Sequence, residues 1–129
     1  MLRFVYSVFA LLFLVLPAFA GEADVLSVEL EETAPNTFTI TAEVEHADDG
    51  WDHYADAWQV LGPDGEVIAT RELAHPHMNE QPFIRSLSGV KIPAGINEIT
   101  VRARDLVHGF GGREVTVAVR PSAVRTAGS

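Results

Sequence analysis

The chain contains no cysteine. That excludes disulfides, thiolate zinc sites, iron–sulfur clusters and thiol nucleophiles, and it leaves no thiol to carry a lipid. Basic residues are scarce: Lys and Arg number 9 against 18 Asp and Glu, a formal charge of −9 over 129 residues. So acidic a chain is repelled by phosphate backbones and anionic headgroups, which excludes nucleic acid and membrane surfaces as partners. No stretch carries an apolar 3.6-residue period long enough for a helix. No Ser or Thr sits in a recognisable nucleophile motif. The glycines at Gly109, Gly111 and Gly112 lack the lysine and following helix of a phosphate cradle. A short chain also has little concave volume from which to exclude water, so the expectation is a binding protein and not an enzyme.

What is present begins with an address. Arg3 is the one charge in residues 1–20, Phe4 to Leu16 is apolar except Ser7, Pro17 breaks the run, and Ala18-Phe19-Ala20 supplies small residues for cleavage. This reads as a signal peptide. The apolar run is shorter than the roughly 20 residues needed to span a bilayer, and no basic cluster follows it. The expected organisation is a signal peptide over 1–20, one domain over 21–120 and a loose polar tail over 121–129. The mature protein would start at Gly21, carry no membrane anchor, and reside in the periplasm or outside the cell.

Charge is divided along the chain. Residues 21–80 hold fifteen acids and one base, Arg71, whereas residues 81–129 hold three acids and seven bases. The expectation is that strands from the two halves lie side by side, with Glu and Arg rungs facing one another.

Alternation with a period of two dominates the rest. Leu26, Val28 and Leu30 alternate with Ser27, Glu29 and Glu31; Phe38, Ile40, Ala42 and Val44 alternate with Thr39, Thr41, Glu43 and Glu45. Ile99, Val101 and Ala103 face one way against Thr100, Arg102 and Arg104, and Val115, Val117 and Val119 repeat the pattern. Weaker strands run over 53–61, 66–73 and 85–92, making seven. Turn signals separate them at Pro35-Asn36, Gly62-Pro63-Asp64-Gly65 and Pro93-Ala94-Gly95. The expected fold is all-β, a seven-stranded antiparallel sandwich. In strand number, spacing and the placement of Trp58 on the third strand, residues 24–120 resemble immunoglobulin-like or fibronectin type III-like domains and small exported bacterial proteins. The cysteine pair of many such domains is missing, and Ile99 stands where a corner tyrosine is common.

That topology would bring the second–third, fourth–fifth and sixth–seventh strand connections to one end. All five histidines lie in these three loops: His46 and His53, His75 and His77, and His108. Imidazole with carboxylate is the donor set of zinc, copper or nickel, and a chain without thiols must use nitrogen and oxygen. His75-Pro76-His77 is the sharpest element, since an extended backbone at His75 puts both rings on one side. The candidate ligands are therefore His75, His77, His53, His108 and His46, with zinc or copper as the cofactor. The alternative is a metal-free surface for a protein, glycan or small ligand, built from Trp51, Tyr54, Asp52, Asp56, Glu80, Asp105 and Phe110. Asp56 shares the phase of Trp58, so it should be half-buried and in need of a partner, with Arg104 or a histidine as candidates. The chain is also loosely similar to small periplasmic copper-carrier sandwiches. It departs from them in having Gly21-Glu22-Ala23, without histidine, at the expected mature N-terminus, and Met78 as its single mature methionine.

Overall fold

The computed structural model describes residues 21–119; the expected signal peptide and the tail over 121–129 lie outside the described residues. Seven strands follow one another: β1 (Asp24–Ala34), β2 (Thr37–Glu45), β3 (Ala55–Leu61), β4 (Val67–Glu72), β5 (Phe83–Lys91), β6 (Glu98–Asp105) and β7 (Val115–Ala118). They form two antiparallel sheets, ordered β1-β2-β5 and β4-β3-β6-β7. No helix occurs among the described residues, as the missing 3.6-residue period implied.

One core lies between the sheets. Val25, Phe38, Ile40, Val44 and Phe83 enter it from the first sheet, and Trp58, Val60, Ile99, Val101 and Ala103 from the second. β2 shows how the sequence achieves this. Phe38, Ile40, Ala42 and Val44 are all buried, while the intervening Thr and Glu side chains are not. Trp58 is fully buried on β3, where truncation to alanine would cost about 3–5 kcal/mol.

β1 departs from the simple alternation. A register shift between Val25 and Ser27 changes its phase, so that Val25 is the fully buried residue and Leu26 only half-buried, before Val28 and Leu30 resume the inward face. β3 starts at Ala55, because His53 and Tyr54 belong to the preceding loop.

Strands of the two halves do lie side by side, β2 with β5 and β3 with β6, but no Glu–Arg ladder forms between them among the described residues. β1 and β2 both come from the acidic half and pair with each other, placing Glu29 and Glu31 opposite Thr41 and Thr39, and Glu43 opposite Ser27. Hydroxyls, not guanidiniums, separate these carboxylates; Ser27 donates to Glu43 at 3.1 Å. Two carboxylate–guanidinium pairs cross between the halves among the described residues, Glu80 with Arg85 at 3.2 Å and Asp56 with Arg104, the latter made by two parallel hydrogen bonds of 3.0 and 2.8 Å. Asp56 is half-buried, as its phase implied, and Arg104 is its partner. That carboxylate raises the guanidinium pKa above its ordinary value.

Candidate metal centre

The β2–β3, β4–β5 and β6–β7 connections meet at one end, and Asp48 joins two of them. Its Oδ1 accepts from the Ala55 amide at 3.0 Å and faces His46 Nδ1 at 2.5 Å, while Oδ2 accepts from the His77 amide at 2.6 Å. Gln81 adds a second clamp: its Oε1 accepts from the His46 amide, and its Nε2 donates to the His77 carbonyl. The third loop is tied in where the Leu106 amide donates to the Tyr54 carbonyl.

These ties converge on His46, whose side chain is 0% exposed. Nδ1 faces the Asp48 carboxylate, and on the far side of the ring Nε2 faces the Gly21 carbonyl oxygen, an acceptor that calls for a proton or a cation between the two atoms. His46 Nε2 lies 3.2 Å from His53 Nε2, 2.7 Å from the Gly21 carbonyl oxygen and 3.9 Å from Asp105 Oδ2. His53 Nε2 is in turn 3.3 Å from Asp105 Oδ1. Donor atoms of His46, His53 and Asp105 all lie within 4.8 Å of one another.

Asp105, the last residue of β6, is held by its own turn. Oδ1 accepts from the amides of Val107 and His108 and lies 3.1 Å from His108 Nδ1. Burial alone would raise its pKa, but these hydrogen bonds, with the nearby His46 ring, outweigh it and hold the carboxyl below the usual carboxylate value. Its other oxygen, Oδ2, is buried and has no hydrogen-bond partner among the described residues. An orphaned carboxylate oxygen beside two imidazole nitrogens asks for positive charge, and only protons on the rings or a cation can supply it.

The spacing suits a small divalent ion. Zinc–nitrogen bonds of about 2.0–2.1 Å in a tetrahedron place neighbouring ligands about 3.3–3.4 Å apart. The separations of 3.2 and 3.3 Å around His53 Nε2 come close to that value. Were a cation held there, Asp48 behind His46 would fix the orientation of that imidazole.

The other expected residues are distributed around this centre. His75 and His77 do lie on one side, their rings 4.7 Å apart, but neither shares the cluster of His46, His53 and Asp105. His77 stacks on Phe83 at 4.1 Å and is linked to the cluster through Asp48 and Gln81; exposed His75 turns its Nδ1 to the Pro76 carbonyl. Burial, with help from the charges of Arg85 and His75, lowers the His77 pKa. His108 flanks the cluster, its ring 5.2 Å from that of His53. Glu80 pairs with Arg85, which lowers the carboxyl pKa.

Of the residues expected in a ligand surface, Trp51 is 65% exposed and packs edge-on against Tyr54. Asp52 is exposed. Phe110 is covered by the Arg102 guanidinium, 3.9 Å from its ring centre. Two residues at the site are not among the candidate ligands of the sequence analysis, Asp48 and Gly21. The His46-x-Asp48 spacing was the available signal for the first, whereas the second comes from across the fold.

No protein-family model matches the chain, and no solved structure matches it. A curated protein from Halomicrobium mukohataei named "Putative lipoprotein" is 36% identical over 104 residues, covering 81% of this chain and 51% of that protein. The chain thus spans about half the length of the curated relative it matches.

Proposed function

We propose that this is an exported binding protein that holds zinc or copper(II) at the loop end of an immunoglobulin-like sandwich. The observation that carries the reading is the meeting of His46 Nε2, His53 Nε2 and the Asp105 carboxylate, one of whose oxygens is buried without a partner. Export is supported by the character of residues 1–20 and by the name of the Halomicrobium relative, and on this reading the protein works in the cell envelope or outside the cell. The finer fold reading is supported by the three-on-four strand order, in which the fourth strand lies beside the third instead of in the first sheet. Binding is favoured over catalysis because both carboxylates at the centre, Asp48 and Asp105, are engaged by amides and imidazoles and are poorly placed to move protons.

Calorimetric and thermal-shift titration of the exported protein with zinc and copper(II) tests this. Micromolar or tighter binding is expected. His53→Ala, which removes a ligand from a ring already 24% exposed, should weaken it by about 100-fold. The His75→Ala/His77→Ala double variant should retain it. Absence of binding, or equal binding by His53→Ala, would sink the metal reading. The second reading would then gain: Trp51, Met78, Leu106 and Val107 are exposed apolar side chains in the same three loops, and a protein or glycan could cover them.

A further inference from the structure

We propose that the α-amino nitrogen of Gly21 is a further ligand of this metal centre, so that removal of residues 1–20 completes the site. The inference rests on the metal reading above and on cleavage after Ala20, the position marked by Ala18-Phe19-Ala20.

Gly21 is already inside the cluster. Its carbonyl oxygen is 2.7 Å from His46 Nε2, the nitrogen at the centre of the proposed ligand set. Its α-carbon is seated between two rings: a side chain built on it would begin 2.7 Å from His108 Cε1 and 3.1 Å from His53 Cε1. Without a side chain, Gly21 lets the main chain come this close to the His53 and His108 rings.

The segment that delivers Gly21 is fixed from the other sheet. The Val25 amide donates to the Arg113 carbonyl at 2.9 Å, and the Arg113 amide donates to Asp24 Oδ1 at 2.7 Å. Ala23 is fully buried. The residue that would become the N-terminus is therefore held against the imidazoles by the tertiary fold.

The chemistry follows from what cleavage changes. While residue 20 is attached, the nitrogen of Gly21 is an amide whose lone pair is delocalised into the carbonyl, and it is no ligand at neutral pH. Once freed, it is an amine one bond from an α-carbon already packed against His53 and His108. The amine and carbonyl of one residue can close a five-membered chelate ring on one cation. The uncleaved chain retains the His and Asp donors but lacks this nitrogen, so full affinity would arise only after export.

The test uses the exported product of the full-length chain carrying Lys91→Arg. Lys91 is the sole lysine, so the α-amine is then the sole primary amine and can be acetylated selectively. Copper(II) and zinc affinities of the free and acetylated forms are compared, with the copper(II) electron paramagnetic resonance spectrum as a second readout and metal-free melting temperature as a control for folding. Acetylation should weaken binding about tenfold or more, remove one nitrogen coupling and leave the metal-free melting temperature unchanged. Equal affinity with unchanged nitrogen couplings would overturn the amine ligand and leave the His/Asp site standing. No binding by either form would overturn both readings. An intact mass showing a start other than Gly21 would overturn this proposal alone.

Discussion

His77 shows how one side chain can carry a pH dependence without joining the centre. It is buried on Phe83, its Nδ1 has no hydrogen-bond partner among the described residues, and its pKa is lowered by burial with the charges of Arg85 and His75. The unfolded chain takes up this proton near the ordinary value of 6.5, whereas the folded chain resists it until lower pH. Over that window the unfolded state binds more protons, so stability is full above about 6.5 and falls as pH drops toward the folded pKa. Denaturant midpoints measured from pH 7.5 to 5 in the presence of a chelator should decline for the wild type. His77→Gln should flatten this part of the profile, and an unchanged slope would assign the pH dependence to other groups.

Among the strands and loops, the connection after β6 makes the closest demands. Gly112 passes so near β1 that a side chain there would begin 2.1 Å from the Ala23 carbonyl oxygen and 2.6 Å from Asp24 Oδ1. Backbone cannot yield as a flexible side chain can, so Gly112→Ala should cost about 1–3 kcal/mol, read from chemical denaturation. Because the same contact holds residues 21–25 in place, metal affinity should fall with it. A variant as stable as wild type would mean that the loop moves aside freely. The strands were largely legible beforehand, β2 most clearly, because one buried and one solvated face impose a period of two on the side chains. β1 was misphased: Leu26 and Val25 are both apolar, and the register shift that decides between them arises from pairing with β2.

Taken as one body, the molecule draws the proposed metal site from the N-terminal segment and two loops, so a cation bound there should stabilise the whole fold. A cation at about 100 times its dissociation constant adds about 2.7 kcal/mol by mass action, which for a domain of this size raises the melting temperature by about 10 °C or more. Adding a chelator to the zinc-loaded protein should reverse that rise, and His53→Ala should show little of it. Identical melting curves with and without zinc would contradict a site selective for the folded state. The acidic surface is a separate matter. Glu29, Glu31 and Glu43 stand opposite hydroxyl-bearing partners, whereas Asp24 and Glu45 face each other at the strand ends.

The sequence by itself determined that the chain is all-β, roughly where its seven strands run, and that its imidazoles gather in three loops. These follow from short-range rules, since alternation, turn residues and composition are each written within a few neighbours. It did not select among the histidines. His75-x-His77 was the most conspicuous pair on paper, yet the proposed site takes one nitrogen each from His46 and His53, a carboxylate from Asp105, and the approach of Gly21. Those partners are as much as 84 positions apart in the chain, from Gly21 to Asp105. The pairing of β1 with β2, which sets Asp24 opposite Glu45, the pairing of β3 with β6, and the ties of Arg113 to Asp24 and Val25 bring them together. Proximity of this kind is a property of the closed sandwich and not of any local run of residues, which is why the donor types could be read early and the donors themselves could not.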